Sequence, residues 1–257
     1  MINCSLGVLN VPALPKLSEL NLSECYLKSL NLCQTPLKQL VLDDSTIESV
    51  CIQDTKELSL LLFRKLSFES LSIQQVANLK FLSISDSSFK QLVLHDVSNI
   101  ENMVLNICTF ESIEFWGVLN VRRLGLIDCD LSKAGTIWKS LTTLESLKEL
   151  SVKNCRGVSA VPYEIGKIKG LEKLTLDLRD LETITFQRCT SEAENGTPPV
   201  EEFKFPETLQ ECRIFVKKGL VQTIMCWWLQ KLLTLKSGQV LPKLIINDVE
   251  CCGIAMH

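Results

Sequence analysis

Residues 79–126, LKFLSISDSSFKQLVLHDVSNIENMVLNICTFESIEFWGVLNVRRLGL, carry the pattern that decides the fold. Three apolar triplets recur in them: Leu79-x-x-Leu82-x-Ile84, Ile100-x-x-Met103-x-Leu105 and Val121-x-x-Leu124-x-Leu126. One triplet alone is uninformative at an apolar content of 46%, but a constant step of 21 residues is the signature of a repeat. Toward the N-terminus the triplet recurs as Leu17-x-x-Leu20-x-Leu22 and Leu37-x-x-Leu40-x-Leu42, and toward the C-terminus as Leu147-x-x-Leu150-x-Val152 and Leu171-x-x-Leu174-x-Leu176. Between the centres at 40 and 82 one unit is missing, and residues 58–63 supply it in a register ambiguous by two residues.

A second series runs half a period out of phase. It reads Leu27-x-x-Leu30-x-Leu32, Ile47-x-x-Val50-x-Ile52, Phe68-x-x-Leu71-x-Ile73, Phe89-x-x-Leu92-x-Leu94 and Phe110-x-x-Ile113-x-Phe115. Each turn of chain therefore carries two short strands on opposite sides, with Phe68, Phe89 and Phe110 stacked as a column. Leu6-x-x-Leu9-x-Val11 already fits a half-unit without a polar cap, so the chain is expected to be a piece of a longer protein whose preceding repeats or N-terminal domain cover that end.

Beyond residue 131 the unit lengthens, with centres at 150 and 174. Ser132 is placed to cap a helix over 132–145 whose Ile137, Leu141 and Leu144 share one face. The expected fold is an α/β solenoid, a right-handed superhelix with a parallel β-sheet on its concave face, built of β/β coils in the first half and β/α coils in the second. One coil buries five or six aliphatic side chains at roughly 1.5–3 kcal/mol each, against an ordering cost on the order of 1–2 kcal/mol for each of about 20 residues. No coil is stable alone. Residues 1–189 are expected to form the solenoid, and 190–257 divergent terminal repeats and a cap. In that second part Thr190, Gly196, Pro198 and Pro199 mark a loop, Phe203, Phe205, Cys212 and Ile214 irregular strands, 220–233 a helix apolar nearly all round, and 241–246 a last strand.

The stretch Leu147-x-x-Leu150-x-Val152-x-x-Cys155-x-x-Val158-x-x-Val161-Pro162-x-x-Ile165-Gly166-x-Ile168-x-x-Leu171-x-x-Leu174-x-Leu176 resembles the cysteine-bearing leucine-rich repeat of plant cytoplasmic proteins. The Pro and the Ile-Gly of the connecting arm are its most specific part. The chain resembles the leucine-rich-repeat region of plant intracellular nucleotide-binding immune receptors, which implies a ligand-sensing or autoregulatory surface. No Gly-x-x-x-x-Gly-Lys-Ser/Thr occurs, so nucleotide binding does not come with that resemblance.

Charge and composition narrow the function classes. Lys and Arg number 27 against 30 Asp and Glu, a net charge of −3, which provides no field for gripping a nucleic-acid backbone. No apolar run approaches the about 20 residues of a spanning helix, and no secretory signal pattern opens the chain, so a cytoplasmic protein is expected. Twelve cysteines occur without a Cys-x-x-Cys pair, arguing against zinc; Cys25, Cys108, Cys129, Cys155 and Cys189 each follow a strand where a small buried side chain fits a turn. His95 has no paired thiol or acid close in sequence. No cofactor or metal is expected.

Strand alternation sends the leucines inward and their neighbours outward. The outward set on the proposed concave face includes Glu19, Asn21, Gln39, Asp43, Phe81, Ser83, Asn102, Asn106, Arg123, Ile127, Glu149, Lys153, Lys173 and Asp177. This mixed, weakly charged surface suits a protein or peptide ligand better than a polyanion. Phe81 and Ile127 stand out as apolar anchors on a polar face. On the opposite side Ser29, Ser49, Ser70 and Ser112 form a small polar row, and Trp116 marks an apolar spot. The expected function is a non-enzymatic protein-binding module of a disease-resistance-type receptor. A substrate-recognition subunit of a ubiquitin ligase is the same-class alternative, and a thiol-dependent enzyme on a repeat scaffold is the alternative from another class.

Overall fold

The computed structural model describes residues 4–11, 14, 16–158, 162–178, 205–216, 218, 221–222, 224–225, 241–247 and 249–251. In chain order its elements are β1 (Ser5–Val11), β2 (Glu19–Ser23), β3 (Tyr26–Cys33), β4 (Gln39–Gln53), β5 (Leu60–Gln74), β6 (Phe81–Ser85), β7 (Ser88–His95), β8 (Asn102–Asn106), β9 (Thr109–Trp116), β10 (Arg123–Ile127), α1 (Ile137–Leu141), β11 (Glu149–Lys153), a 3-10 turn (Tyr163–Lys167), β12 (Lys173–Asp177), β13 (Glu211–Phe215), β14 (Lys243–Ile246) and β15 (Val249–Cys251). They wind into a parallel-strand β-solenoid with little helix.

Two parallel ladders run along the stack. The long face is β2-β4-β5-β6-β8-β10-β11-β12-β13-β14, each segment paired with the next. The short face is β1-β3-β4-β5-β7-β9, β4 and β5 passing through both. Leu40, Leu61, Leu82, Met103 and Leu124 pair in one line, which fixes the register of the 58–63 unit at Leu61 and turns Leu60, Leu62 and Arg64 outward. β15 pairs antiparallel with β14. Pairing of β12 with β13 carries the sheet across the expected boundary at residue 190.

Corners hold the two faces at an angle. After the long-face strands Glu24, Asp44, Lys65, Asp86, Ile107, Asp128 and Asn154 have φ between 46° and 54°, and after the short-face strands Gln34, Asp54, Gln75 and Asp96 do the same, with Gly117 at 62°. Left-handed backbone bends the chain sharply while leaving its N–H free to continue the ladder: Asp86 donates to Asn106 O at 2.9 Å and Asp96 to Trp116 O at 2.8 Å. Acidic and amide residues tolerate this conformation, whereas β-branched Ile107 is strained in it. On the third side Asn78, Asn99 and Asn120, again 21 apart, donate Nδ2 to the carbonyls of Lys56, Ala77 and Ser98.

The core is the space between faces. Leu27, Leu30, Leu40, Ile47, Leu61, Leu82, Leu92, Leu105 and Phe110 are fully buried. Phe68, Phe89 and Phe110 stack with centroids 4.9 and 5.2 Å apart and planes within 8°. Cys25, Cys108, Cys129 and Cys155 are buried at the corner as expected, while Cys189 lies outside the described residues.

The expected helix over 132–145 shrinks to α1, whose N-cap is Thr136. Ser132 instead donates its backbone N–H and its hydroxyl to the Asp130 carboxylate at 3.0 and 2.6 Å, a local turn that competes with capping. Ile137, Leu141 and Leu144 are nonetheless buried. Strand pairing of the short face dwindles here to isolated bridges, Thr109 to Asp130 and Asp130 to Arg156. Of the expected 220–233 helix most lies outside the described residues; Ile224 is buried and Met225 exposed.

Two variants test this packing. Phe89→Ala removes the middle ring of the column and is expected to cost about 3–5 kcal/mol in denaturant unfolding. Thr55 is fully buried with no hydrogen-bond partner for its hydroxyl among the described residues, and the equivalent positions of later turns hold Val76 and Val97. Thr55→Val is therefore expected to raise stability by about 1 kcal/mol in the same measurement.

Candidate functional site

Because every long-face strand pairs in register, its outward residues form three straight columns. The first reads Gln39, Leu60, Phe81, Asn102, Arg123, Glu149, Lys173 and Glu211. The second reads Val41, Leu62, Ser83, Val104, Gly125, Ser151, Thr175 and Arg213, and the third Asp43, Arg64, Ser85, Asn106, Ile127 and Lys153. Glu19 and Asn21 begin the first two columns on β2.

Two zones result. In the first, Val41, Leu60, Leu62, Phe81 and Val104 lie on adjoining positions of the columns, a half-buried apolar cluster on a surface open to solvent. In the second, a hollow of about 420 Å³ opens over Gly125. It gathers six of the fourteen sequence-selected residues, Phe81, Asn102, Arg123, Glu149, Lys153 and Lys173, together with Val104, Ser151, Thr175, Glu211 and Arg213. Gly125 has no Cβ to fill the space, and one added there would meet nothing closer than 3.9 Å. Phe81 belongs to both zones.

Electrostatics across the face are mixed and mostly paired. Lys173 faces Glu149 at 3.4 Å, and Arg213 Nε faces Glu211 at 2.8 Å. The Arg213 guanidinium holds the Glu211 carboxyl below its usual range, against a smaller opposing effect of burial. Arg123 Nε donates to Asn102 Oδ1 at 2.5 Å. Arg64 grips Asp43 with two bonds, Nε to Oδ1 at 3.1 Å and a terminal nitrogen to Oδ2 at 2.8 Å, and this holds the Asp43 carboxyl below its ordinary value.

Not every selected residue stands at the surface. Asp177, expected outward, is 7% exposed; it pairs with Phe215 of the next turn, and Leu178 N–H donates to Phe215 O at 2.7 Å. Gln39, Asp43, Ser83, Asn102, Asn106, Ile127 and Glu149 are half-buried, and Glu19, Asn21, Arg123, Lys153 and Lys173 exposed. Sequence reasoning missed Leu60 and Leu62, although stepping 21 residues from Leu40 or Leu82 reaches Leu61 and exposes both its neighbours.

The rest of the surface is less concentrated. Ser29, Ser49, Ser70 and Ser112 do align on the short face, with Gln91 interposed, and all are half-buried. Trp116 is 58% exposed and donates Nε1 to Glu114 at 3.2 Å. His95 has an acid after all: its Nδ1 lies 3.3 Å from Asp96 Oδ2, a contact that the adjacent position in sequence allowed. A second hollow of about 420 Å³ follows the corner strip along Asp44, Lys65, Ser67, Asp86, Ser88 and Ile107.

The column thiols are committed to packing. Sγ of Cys108, Cys129 and Cys155 each lies 3.4 Å from a carbonyl of an earlier turn. Hydrogen bonding to Cys129 and burial push the Cys108 and Cys155 thiols far up, and burial does the same to Cys212. Among the described residues no group of three or more His, Cys, Asp or Glu stands close enough to hold a metal, and no helix is long and apolar enough to cross a membrane. No family model and no curated protein matches the chain.

The Asp43–Arg64 pair carries a pH signature. Because the folded-state carboxyl value is depressed, the stabilisation is present above the ordinary carboxyl range and disappears as pH falls through the lowered folded value. Acid titration of unfolding stability should show this loss, and Asp43→Asn should flatten it. The effect should also shrink as salt is raised, since both groups are solvent-accessible.

Proposed function

We propose that the chain is a protein-binding leucine-rich-repeat module whose long face receives the ligand. The observation that carries this reading is the juxtaposition of the apolar cluster at Val41, Leu60, Leu62, Phe81 and Val104 with the polar-rimmed hollow over Gly125. An apolar centre next to paired charges is the anatomy of a protein interface, and Phe81, at the join of the two zones, fits the role of anchor. Balanced charge favours a protein or peptide over a polyanion.

We read the coils as the β/β and β/α forms of one repeat, with the long face concave where helical turns are wider than the strands they replace. Supporting this, α1 and the 3-10 turn Tyr163–Lys167 succeed the short-face strands while the long face continues through β11 and β12. The resemblance of residues 147–176 to the plant cytoplasmic repeat supports reading the module as the ligand-sensing or autoregulatory part of a disease-resistance-type receptor. Such a module acts by binding alone.

The test is a displayed library of random peptides selected against the full chain. Binders should weaken by at least about tenfold in Phe81→Glu and in Gly125→Trp, and should be indifferent to Ser70→Glu on the short face. Both long-face positions point away from the core, so circular dichroism should be unchanged. Selected peptides that ignore Phe81→Glu and Gly125→Trp, or a library that yields none above background, would overturn the reading.

A further inference from the structure

Cys4 and Cys25 occupy equivalent places on the first two turns of the short face. Ser5 pairs in register with Tyr26, and Tyr26 N–H donates to Cys4 O at 2.8 Å. Their sulfurs are 2.8 Å apart, inside the roughly 3.5–4.0 Å at which uncharged heavy atoms pack. Neighbouring strands lie about 4.7–4.9 Å apart, within the Cα separation of about 4.4–6.8 Å that a disulfide spans.

No other described cysteines combine these conditions with access. Cys108, Cys129 and Cys155 share with Cys25 the contact to a carbonyl two residues back, 3.2 Å to Ser23 O for Cys25, but all three are buried, so a reagent reaches none of them. Cys33 is exposed and Cys51 half-buried, but they are out of register, Cys33 lying opposite Gln53 and Cys51 opposite Asn31. Cys4 is half-buried, which lets a small reagent reach one sulfur, while buried Cys25 waits behind it.

We propose that Cys4 and Cys25 are a reversible disulfide site, closed by exchange with a small-molecule disulfide such as glutathione disulfide, which staples β1 to β3. In the first step the Cys4 thiolate attacks one sulfur of the reagent; a Cys4–glutathione bond forms, the reagent's S–S bond breaks, and one glutathione thiolate leaves. The Cys25 thiolate then attacks the Cys4 sulfur and expels the second glutathione thiolate. The two protein thiols are oxidised, the reagent is reduced, and the two protons lost pass through solvent to the departing thiolates.

Two physical properties shape the outcome. Hydrogen bonding to Cys25, then burial and the like charge of Cys25, raise the Cys4 thiol, so exchange is slow near neutrality and quickens as pH climbs through and past the ordinary thiol range. β1 is the edge of its ladder, with Leu6 and Val8 exposed. A covalent link to β3 suppresses opening of that edge by about 10²-fold, the loop-closure value for a ring of about 20 residues. This site lies off the long face and stands whether or not that face binds a ligand.

The experiment treats the full chain with excess glutathione disulfide, blocks remaining thiols, and maps peptides by mass spectrometry beside amide hydrogen exchange. The expected result is a Cys4–Cys25 linked peptide lacking two hydrogens, and β1 amides exchanging about 10²-fold more slowly, both reversed by dithiothreitol. Cys25→Ser should instead accumulate the Cys4–glutathione adduct. That variant is built to fold, because Ser45 and Ser87 hold the same corner position in later turns. An adduct on Cys4 that persists in the unsubstituted chain, an unmodified Cys4, a link to any other cysteine, or a link without slower β1 exchange would each overturn the proposal.

Discussion

A leucine in this molecule is hidden from water by the turn before it and the turn after it, because one turn of 21 residues has no interior of its own. Leu61 sits between Leu40 and Leu82 in a single line of strand pairing, and all three are fully buried. Hydrophobic burial and the backbone ladder are thus the same contact seen from two sides: the pairing that satisfies the amides also sets each side chain against its equivalent one turn on. Phe68, Phe89 and Phe110 show how strictly this holds, their rings nearly parallel because their backbones are in register.

Stacking of that kind demands that successive corners superimpose, and the corners are where the sequence is specialised. A left-handed residue follows each strand of the regular turns, and most are acidic or amide residues that adopt it at low cost. Behind the long-face ones, Leu66 excepted, sits a small buried side chain, Cys or Ser, that hydrogen-bonds backbone groups: Ser45 receives the N–H of Cys25 and donates to Asp43 O, and Ser87 does the same for Leu66 and Ser85. Thiol and hydroxyl are interchangeable here because each is small and each can satisfy a carbonyl. This geometry accounts for Cys25, Cys108, Cys129 and Cys155, whereas Cys33, Cys51 and Cys212 lie within strands.

Both strand series, the half-period offset and the phenylalanine column were legible because they rest on the inward positions, where packing restricts the residue to an apolar one. The asparagine ladder stands in the sequence too, at a 21-residue step from Asn78, on polar positions that apolar periodicity passes over. Ser132 misled because an N-cap and an Asx turn use the same residue types, and only the position of Asp130 decides between them. Leu60 and Leu62 were obscured because residues 58–63 contain an apolar residue at nearly every position, so alternation disappears just where both faces of a strand are apolar. Asp177 failed for a different reason. Alternation gives the direction of a side chain relative to its own strand and not its burial, which at Asp177, beside Phe215 of the next turn, leaves 7% exposed.

Outward positions are free of the constraint that fixes the inward ones, and departures there are informative for that reason. A face that only meets solvent has no need of Leu60, Leu62 and Phe81 on adjoining strands, or of a glycine in the middle of β10. Gly125 forgoes about 0.5–1 kcal/mol relative to alanine in a strand, with an ordinary φ and ample room for a side chain, so neither strain nor crowding requires it. Gly117 and Gly157 differ, since both have positive φ and their backbones need them. What Gly125 supplies is the floor of a hollow bordered by Phe81, Arg123 and Lys153. The short face has departures of its own, with Gly7 in open space between exposed Leu6 and Val8 on β1 and with Trp116 exposed on β9; its serine row is what hydrated strand surface requires. The long face differs in extent: its apolar residues and its glycine lie on successive paired strands from β4 to β10, whereas Leu6, Gly7 and Val8 share one edge strand.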